Sequence, residues 1–144
     1  MNQQLRRLDV SDYDAIISLW SDAGLPFKPR GRDSQAMMAV EMSLPQCAFF
    51  GLFEDDKLLA VGIAEFDGRR GWINRLAVHP DHRGEGLAGR VIHECEYFLE
   101  MQGAVVIAAL IEEVNFPSMA CFHKEGFVCL EEYKLFTKRK SPDA

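Results

Sequence analysis

The chain has 144 residues, of which 48% are hydrophobic and 26% charged, and its net charge is −6. This length gives one domain with a hydrophobic core and is too short for two ordinary domains. The acidic balance argues against nucleic acid and membrane as partners, because both select basic surfaces. The first ten residues contain no long apolar segment, and the longest apolar run, residues 104–111, is too short to span a membrane. We therefore expect one cytoplasmic domain over residues 1–144.

The cysteines and histidines do not suggest a disulfide or a metal site. Cys47, Cys95, Cys121 and Cys129 lie far apart and form no C-x-x-C pair. We interpret them as small buried hydrophobic residues in a reducing compartment. The spacing of His79 and His82 occurs in metal sites, but no third ligand accompanies them, so we expect no metal.

The first third of the chain is predicted to form an edge strand and two helices. Residues 5–10 read as the strand, and Ser11 with Asp14 resembles a shortened capping box that starts the first helix. That helix ends at Gly24, after apolar residues at helical spacing: Ile16, Leu19, Trp20 and Ala23.

A loop and the second helix follow. Residues 25–32 contain two prolines and three basic residues and are predicted to form the loop. Asp33 is expected to cap the second helix, which Pro45 ends. The apolar residues predicted for this helix are Met37, Val40 and Leu44.

The middle of the chain is predicted to be an antiparallel meander. Residues 48–54 and 58–66 form a hairpin around a turn at 55–57, and residues 72–78 form the next strand after Asp67-Gly68.

A glycine-rich loop then leads into a helix that ends at Gly103. The helix carries an apolar stripe: Ala88, Val91, Ile92, Cys95, Phe98 and Leu99. Residues 104–111 are uniformly apolar and predict a strand covered on both faces. A short helix over 118–124, a strand from Phe127 and another over 133–137 complete an α+β fold with one βαβ crossover. Residues 138–144 are expected to form a frayed tail.

The glycine-rich loop is the most informative part of the sequence. Gly84, Gly86 and Gly89 spell G-x-G-x-x-G, whereas Arg83, Gly86 and Ala88 spell R-x-x-G-x-A. Either pattern indicates an anion site, because the first amides of a helix lack intrahelical partners and glycines let a phosphate approach the backbone.

A dinucleotide is the first candidate ligand, and Glu112 closes the next predicted strand as that motif requires. Three features oppose it: a polar insert over 79–83 separates the strand from the glycines, the preceding strands form a meander, and too few residues follow Gly103 for a Rossmann sheet. A phosphate-transferring P-loop is excluded because no Gly-Lys-Ser/Thr sequence follows.

The chain resembles the GNAT superfamily of acyl-CoA-dependent N-acetyltransferases in element order and in two motifs. The first is a strand ending in Val78-His79-Pro80, followed by the R-x-x-G-x-A turn. The second matches N-x-x-A/S followed by K-x-G-F, through these residues: Asn115, Ser118, Lys124, Gly126 and Phe127.

The resemblance implies a GNAT-like mixed, mostly antiparallel central sheet flanked by helices, with a splayed parallel strand pair. It implies that acetyl-CoA is the cofactor and that its pantetheine arm pairs with the strand backbone of Leu76, Ala77 and Val78. The residues implied to wrap the pyrophosphate are Arg83, Gly84, Glu85, Gly86, Leu87 and Ala88. Asn115 and Phe122 are also implied to contact the cofactor.

The catalytic residues are less determined. Family members often carry a tyrosine as general acid four residues before the glycine of the second motif, and here that position is Phe122. Ser118, one helical turn earlier, or water is a substitute donor. Glu65 and Asn74 are polar residues in apolar strands, and either could order a water that takes the amine proton; a solvated strand end and a structural hydrogen bond are their alternative roles.

The acceptor is predicted from the loop between the first two helices, which borders the acceptor pocket in the family. Lys28, Arg30 and Arg32 in this loop could attract an acceptor carboxylate or phosphate, or lie on a solvated surface. The predicted function is transfer of an acetyl group from acetyl-CoA to a primary amine of a small molecule or peptide in a ternary complex. A catalytically weak acyl-CoA-binding module, suggested by Phe122, is the alternative, and a homodimer is left open.

Overall fold

The computed structural model describes residues 2–144 and contains a five-stranded sheet between two layers of helices. The strands neighbour one another in chain order: β1 (Gln3–Arg7), β2 (Cys47–Glu54), β3 (Lys57–Phe66), β4 (Gly71–Val78) and β5 (Ile107–Ala108). Strands β1 to β4 are antiparallel, whereas β4 and β5 are parallel. The predicted mixed, mostly antiparallel sheet is confirmed.

Within residues 2–144, four α-helices cover the sheet: α1 (Tyr13–Asp22), α2 (Gln35–Ser43), α3 (Leu87–Gln102) and α4 (Phe116–Lys124). Successive side chains of a strand point to opposite faces, so β2 supplies both cores. Phe49 packs with α1 and α2 residues such as Trp20 and Met38. Phe50 packs with α3 residues such as Val91.

The meander and α3 agree with the sequence prediction. Each strand of the meander starts one residue earlier than predicted and ends where predicted. The stripe of α3 is buried apart from Phe98, which is half-buried, and the helix ends at Gly103 with φ +107°. Within β3, Gly62 lies under α3: a β-carbon there would stand 2.9 Å from Val91 Cγ1, so glycine permits the close approach.

The N-terminal predictions need correction. β1 ends at Arg7, because Asp9 caps a 3-10 turn over Val10–Asp12. The capping box is formed by Asp9 and Asp12, not by Ser11 and Asp14. Both aspartates accept backbone N–H bonds there, and Asp12 is held in place by Arg6 at 2.8 Å.

The start and the buried face of α2 also differ from the prediction. Ser34, not Asp33, is the N-cap and accepts a hydrogen bond from the Met37 amide. The buried residue of the helix is Met38, which belongs to the core with Trp20. The apolar residues predicted for this helix are exposed by 53%, 58% and 40%: Met37, Val40 and Leu44.

The prediction was wrong for the chain after α3. Strand β5 has two residues rather than the predicted eight, and Val105 and Leu110 on either side are 92% and 57% exposed. No strand follows α4 within residues 2–144, so the strands predicted from Phe127 and over 133–137 are absent there. Apolar, β-prone residues predict a strand only if a neighbouring strand is available, and here Tyr133 and Phe136 lie exposed.

The cysteines are free, as the sequence suggests. Cys47 and Cys95 are buried, and Cys121 is half-buried. Cys129 is exposed in the segment after α4, which forms no strand within residues 2–144, and the prediction of a buried residue is wrong for it.

Candidate functional site

The two parallel strands touch only at their beginning and then part. Gly71 and Trp72 of β4 face Ile107 and Ala108 of β5, and no later β4 residue has a β5 partner. On its other edge β4 stays paired with β3 as far as Val78. The backbone groups of the second half of β4 that point away from β3 therefore border a gap in the sheet, where an extended ligand can pair with them.

A strained bulge lies at the point where the strands part. Val61 of β3 faces Ala77, and Ile63 faces Asn74, so one β3 residue lies opposite two β4 residues, Arg75 and Leu76. Arg75 has φ +57°, which is unusual for a residue with a side chain. The bulge aims Arg75 at Trp20 on the α1 side of the sheet.

The glycine turn after β4 forms a cradle at the start of α3. Gly84 and Gly86 have φ +81° and +78°, and a β-carbon on either would meet no protein atom within 4 Å. Gly86 is the N-cap of α3 and makes no side-chain cap bond. The amide N–H groups of the first turn can therefore donate to a ligand. An open concave turn, free amides and the positive end of a helix dipole suit a phosphate group.

The gap and the cradle join in one cleft of about 360 Å³. One wall comes from the end of α1, through Ala23 and Leu25. The opposite wall comes from α4. The remaining residues implied by the resemblance that border the cleft are Leu76, Ala77, Val78, Arg83, Gly84, Gly86, Leu87, Ala88 and Asn115.

Two residues implied to contact the cofactor lie elsewhere. Glu85 is exposed on the outside of the turn, where a carboxylate oxygen lies 3.3 Å from His82 Nδ1. Phe122 is 4% exposed in the core cluster beneath α3, edge-on to Phe127 with ring centroids 5.0 Å apart. Neither side chain borders the cleft.

The cleft carries positive charge where the cradle opens. Arg83 and Lys124 border it, and Glu125 is engaged by a short hydrogen bond with His93. Gly89, the third glycine of G-x-G-x-x-G, lies next to Glu125: a β-carbon there would stand 2.7 Å from Oε1, the end of a flexible side chain.

The predicted catalytic residues fall into two places. Ser118 borders the main cleft, on the same face of α4 as Cys121. Glu65 and Asn74 border a separate open hollow of about 290 Å³ with Asp67, Trp72 and Leu110, beside the paired part of β4 and β5. Asp67 is charged there at neutral pH, since hydrogen bonds from the Trp72 indole and two backbone amides lower its pKa to about 2.

The predicted acceptor cations have partners within the chain. Lys28 Nζ donates to the Pro142 carbonyl at 3.0 Å, and Arg30 pairs with Asp143 at 3.5 Å. Arg32 Nε lies 3.8 Å from Asp33. The C-terminal residues thus cover this loop, and none of the three cations borders either cavity.

Several residues near the bulge were not predicted as functional. Arg75 stacks on Trp20 with its Cζ 4.3 Å from the ring centroid, and burial lowers its pKa. Glu41 of α2 is half-buried, and burial together with the charges of Glu65 and Asp33 raises its pKa. These contacts join α1, α2 and β4, and no local sequence pattern reveals them.

Cys121 could have been predicted, since it lies three residues after Ser118 and therefore on the same helical face. Within residues 2–144, no helix is both long and apolar enough to cross a membrane. In the same part of the chain, no three acidic, histidine or cysteine side chains gather as metal ligands would.

The fold and the cleft together define a class of protein. In this class two parallel strands part, and a glycine-rich turn after the first of them leads into a helix. Comparison with known proteins agrees. The model of the Acetyltransferase (GNAT) family matches residues 13–127. Acetyltransferase ECA0875 of Pectobacterium atrosepticum is 26% identical over 123 residues, which are 84% of each chain.

Solved structures of low sequence identity show the same fold. PaiA N-acetyltransferase from Thermoplasma acidophilum, in complex with coenzyme A, has a TM-score of 0.78 at 17% identity, over 89% of this chain and 91% of that one. AAC(6′)-Iy, in complex with a bisubstrate analogue, has a TM-score of 0.78 at 15% identity, over 96% and 99%. The chain belongs to the GNAT family of acetyltransferases.

Proposed function

We propose that this protein is an acetyl-CoA-dependent N-acetyltransferase that acts on a primary amine of a small molecule or peptide. The observation that carries the proposal is the continuous cleft from the unpaired edge of β4 to the cradle at α3. A long ligand with amide groups at one end and phosphates at the other matches this order of backbone edge, glycine turn and helix start. PaiA and AAC(6′)-Iy, which share the fold, were crystallised with ligands of this kind.

Each part of the cleft has a binding role in this proposal. The backbone of Leu76–Val78 would pair with the pantetheine amides, and the free amides at the start of α3 would bind the pyrophosphate together with Arg83 and Lys124. Asn115 already accepts the Ser118 amide through its side chain and caps α4, so it fixes the α4 wall. When bound, acetyl-CoA supplies the acetyl group as a thioester.

Direct transfer exchanges the C–S bond of the thioester for a C–N bond and moves one proton from the amine nitrogen to the thiol. The amine nitrogen attacks the carbonyl carbon, a C–N bond forms, the C–S bond breaks, and the electron pair leaves on sulfur. The amine proton passes to water. Glu65 and Asn74, which the sequence suggested could order such a water, border the separate hollow rather than this cleft. A thiol with a pKa of about 8.5 leaves readily, so a water or Ser118 suffices as proton donor.

A catalytically weak acyl-CoA-binding module remains the second candidate, because Phe122 places no phenol in the cleft. One assay separates the two. The protein is incubated with acetyl-CoA and a panel of amines, and free thiol is measured. Thiol release that requires an amine supports the enzyme, whereas coenzyme A binding without release across the panel supports the module.

The cofactor is tested independently by thermal stability. Coenzyme A at 100 times its dissociation constant should add about 2.7 kcal/mol to the free energy of unfolding. NAD should add none. Stabilisation by NAD and none by coenzyme A would overturn the assignment of the cleft and return the dinucleotide to first place.

A further inference from the structure

Arg75 is held in an unfavourable state that its packing role does not require. Its backbone has φ +57°, a conformation that costs a residue with a side chain free energy. Its guanidinium is largely buried, and both Nε and Nη2 lie buried with no hydrogen-bond partner in the protein. An apolar residue would fill this position at lower cost, since a buried charge loses its hydration. The arginine therefore calls for an explanation beyond packing.

The carboxylate within ion-pair distance of one of these nitrogens, Nη2, belongs to Asp33. Its carboxylate lies 3.9 Å from Arg75 Nη2, and Asp33 itself is buried. Arg32 is 3.8 Å from the same carboxylate, but its side chain is half exposed to solvent, where ion pairs contribute little. Arg75 stacks on the fully buried Trp20, so its charge has a fixed position. The pair thus links the bulge of β4 to the segment between α1 and α2.

Asp33 organises that segment, the α1–α2 loop (residues 23–34). Its carboxylate accepts the Lys28 amide at 2.7 Å, and its amide donates to the Lys28 carbonyl at 3.0 Å. The Tyr13 hydroxyl donates to the Asp33 carbonyl at 2.7 Å. The loop begins with Ala23 and Leu25, which form a wall of the cleft. A charge that holds Asp33 therefore holds the later part of this loop, whose first residues border the cleft.

We propose that Arg75 is a positioning residue that holds the α1–α2 loop, through Asp33, at a fixed place relative to the parted end of β4. The inference rests on the proposed function, because this loop then forms the acceptor side of the site. Arg75, which has the unfavourable backbone angle, directly precedes Leu76, the first residue proposed to pair with the cofactor. One side chain therefore links the cofactor strand to the loop on the acceptor side. The acceptor would lose its binding surface without Arg75, whereas the cradle at Gly84–Gly89 makes no contact with the pair.

The test compares variants that differ in charge and in shape. Arg75→Met keeps the bulk without the charge, Arg75→Lys keeps the charge without the planar fork, and Asp33→Asn removes the partner. Arg6→Gln is the matched control. Arg6 also pairs with an aspartate, Asp12 at 2.8 Å, and also lies over an aromatic ring, but on the opposite edge of the sheet.

Two readouts are measured on the whole protein. Acetyl-CoA-dependent thiol release gives KM for the acceptor separately from KM for acetyl-CoA and from kcat. Amide hydrogen exchange reports the loop directly, through the hydrogen-bonded amides of Lys28, Gly31, Asp33 and Ser34. Thermal melts record the stability of every variant.

We expect the three variants at Arg75 and Asp33 to raise the acceptor KM about tenfold, the factor that corresponds to 1.4 kcal/mol. Exchange of the loop amides should quicken in parallel, while KM for acetyl-CoA changes less than about threefold. Arg75→Met leaves the buried Asp33 carboxylate without its partner and should melt lower than wild type, so Arg6→Gln, which also breaks an arginine–aspartate pair, shows which changes follow from lost stability alone. The double variant Arg75→Met/Asp33→Asn should raise the acceptor KM no further than the more affected of its two single variants.

The outcomes are distinguishable. Unchanged acceptor KM and unchanged loop exchange in Arg75→Met and Asp33→Asn would overturn the inference. The same changes in Arg6→Gln would also overturn it, because they would then follow from lost stability alone. If wild type releases no thiol with any amine, the proposed function fails, and hydrogen exchange still decides whether Arg75 holds the loop.

Discussion

The cradle at the start of α3 gives the sharpest quantitative prediction, through Gly86→Ala and its control Gly103→Ala. The two glycines cap opposite ends of the same helix, and both have positive φ. A β-carbon on either would meet no protein atom within 4 Å, so neither substitution creates a clash. Each should lose only the cost of the left-handed backbone, about 1–2 kcal/mol. At about 3 °C per kcal/mol, both variants should melt roughly 3–6 °C below wild type.

The two variants should differ in coenzyme A binding. The β-carbon of Gly86→Ala enters the space where we place the pyrophosphate, and losing one charge-assisted hydrogen bond of about 1.5–3 kcal/mol weakens binding about 10- to 100-fold. At a concentration 100 times the wild-type dissociation constant, stabilisation then falls from about 2.7 to about 0.4–1.4 kcal/mol. Gly103→Ala, at the other end of the helix, should keep the wild-type value.

The assay is a thermal melt of each protein with and without coenzyme A. The shift on adding coenzyme A should be about 8 °C for wild type and Gly103→Ala, and about 1–4 °C for Gly86→Ala. Equal shifts in all three proteins would show that no phosphate lies against Gly86. The cradle would then be only a helix start.

Three further predictions follow from charge and exposure. Arg83→Ala should weaken coenzyme A binding less than about tenfold and flatten its salt dependence, because backbone amides supply the other contacts; a loss as large as in Gly86→Ala, measured by calorimetry, would contradict this. Iodoacetamide should modify the exposed Cys129 quickly and the half-buried Cys121 slowly, and coenzyme A should protect only Cys121, because that thiol borders the cleft; equal labelling of Cys121 with and without ligand, read by mass spectrometry, would place the ligand elsewhere. The raised pKa of Glu41 means that the folded protein holds this proton more tightly than the unfolded chain, so wild-type stability declines as pH rises from the unfolded value towards the folded one. Glu41→Gln should therefore melt above wild type at neutral pH and equal to it below about pH 4; a difference that does not change with pH would point to packing instead.

The sequence predicts best where a pattern is both local and long. The meander and α3 were predicted to within one residue at most ends, because alternation and helical periodicity repeat over many positions there. The cradle was predicted because glycine at positive φ leaves a direct signature, and Gly84 and Gly86 adopt such angles. Most of the cleft follows from these elements, because its walls adjoin them.

The remaining features depend on distant parts of the chain. Residues 104–111 have the composition of a buried strand, yet β5 extends only as far as β4 pairs with it. The link from Arg75 to Asp33 spans more than 40 positions of sequence and forms only because a bulge turns Arg75 towards Trp20. The charge of Arg30 left a substrate contact and a solvated surface open, and its pair with Asp143 near the C-terminus was not predicted. Such pairings have no local signal.

Phe122 shows how burial changes a chemical prediction. The sequence places it where relatives often have a catalytic tyrosine, which suggests that Phe122→Tyr restores a proton donor. In the structure the ring lies in the core against Phe127, whereas Ser118 and Cys121 on the same helix border the cleft. A hydroxyl at residue 122 would enter this core without a partner, at a cost of about 1–3 kcal/mol.

We therefore expect Phe122→Tyr to melt roughly 3–9 °C lower, at about 3 °C per kcal/mol, and to leave turnover unchanged. Because Phe122 does not border the cleft, coenzyme A binding should also stay the same. A higher kcat with unchanged melting temperature would show that the ring turns towards the cleft when the cofactor binds. In that case a tyrosine at residue 122 can still donate a proton to the thiolate. The expected result, unchanged turnover, would mean that Ser118 or water is a sufficient proton donor.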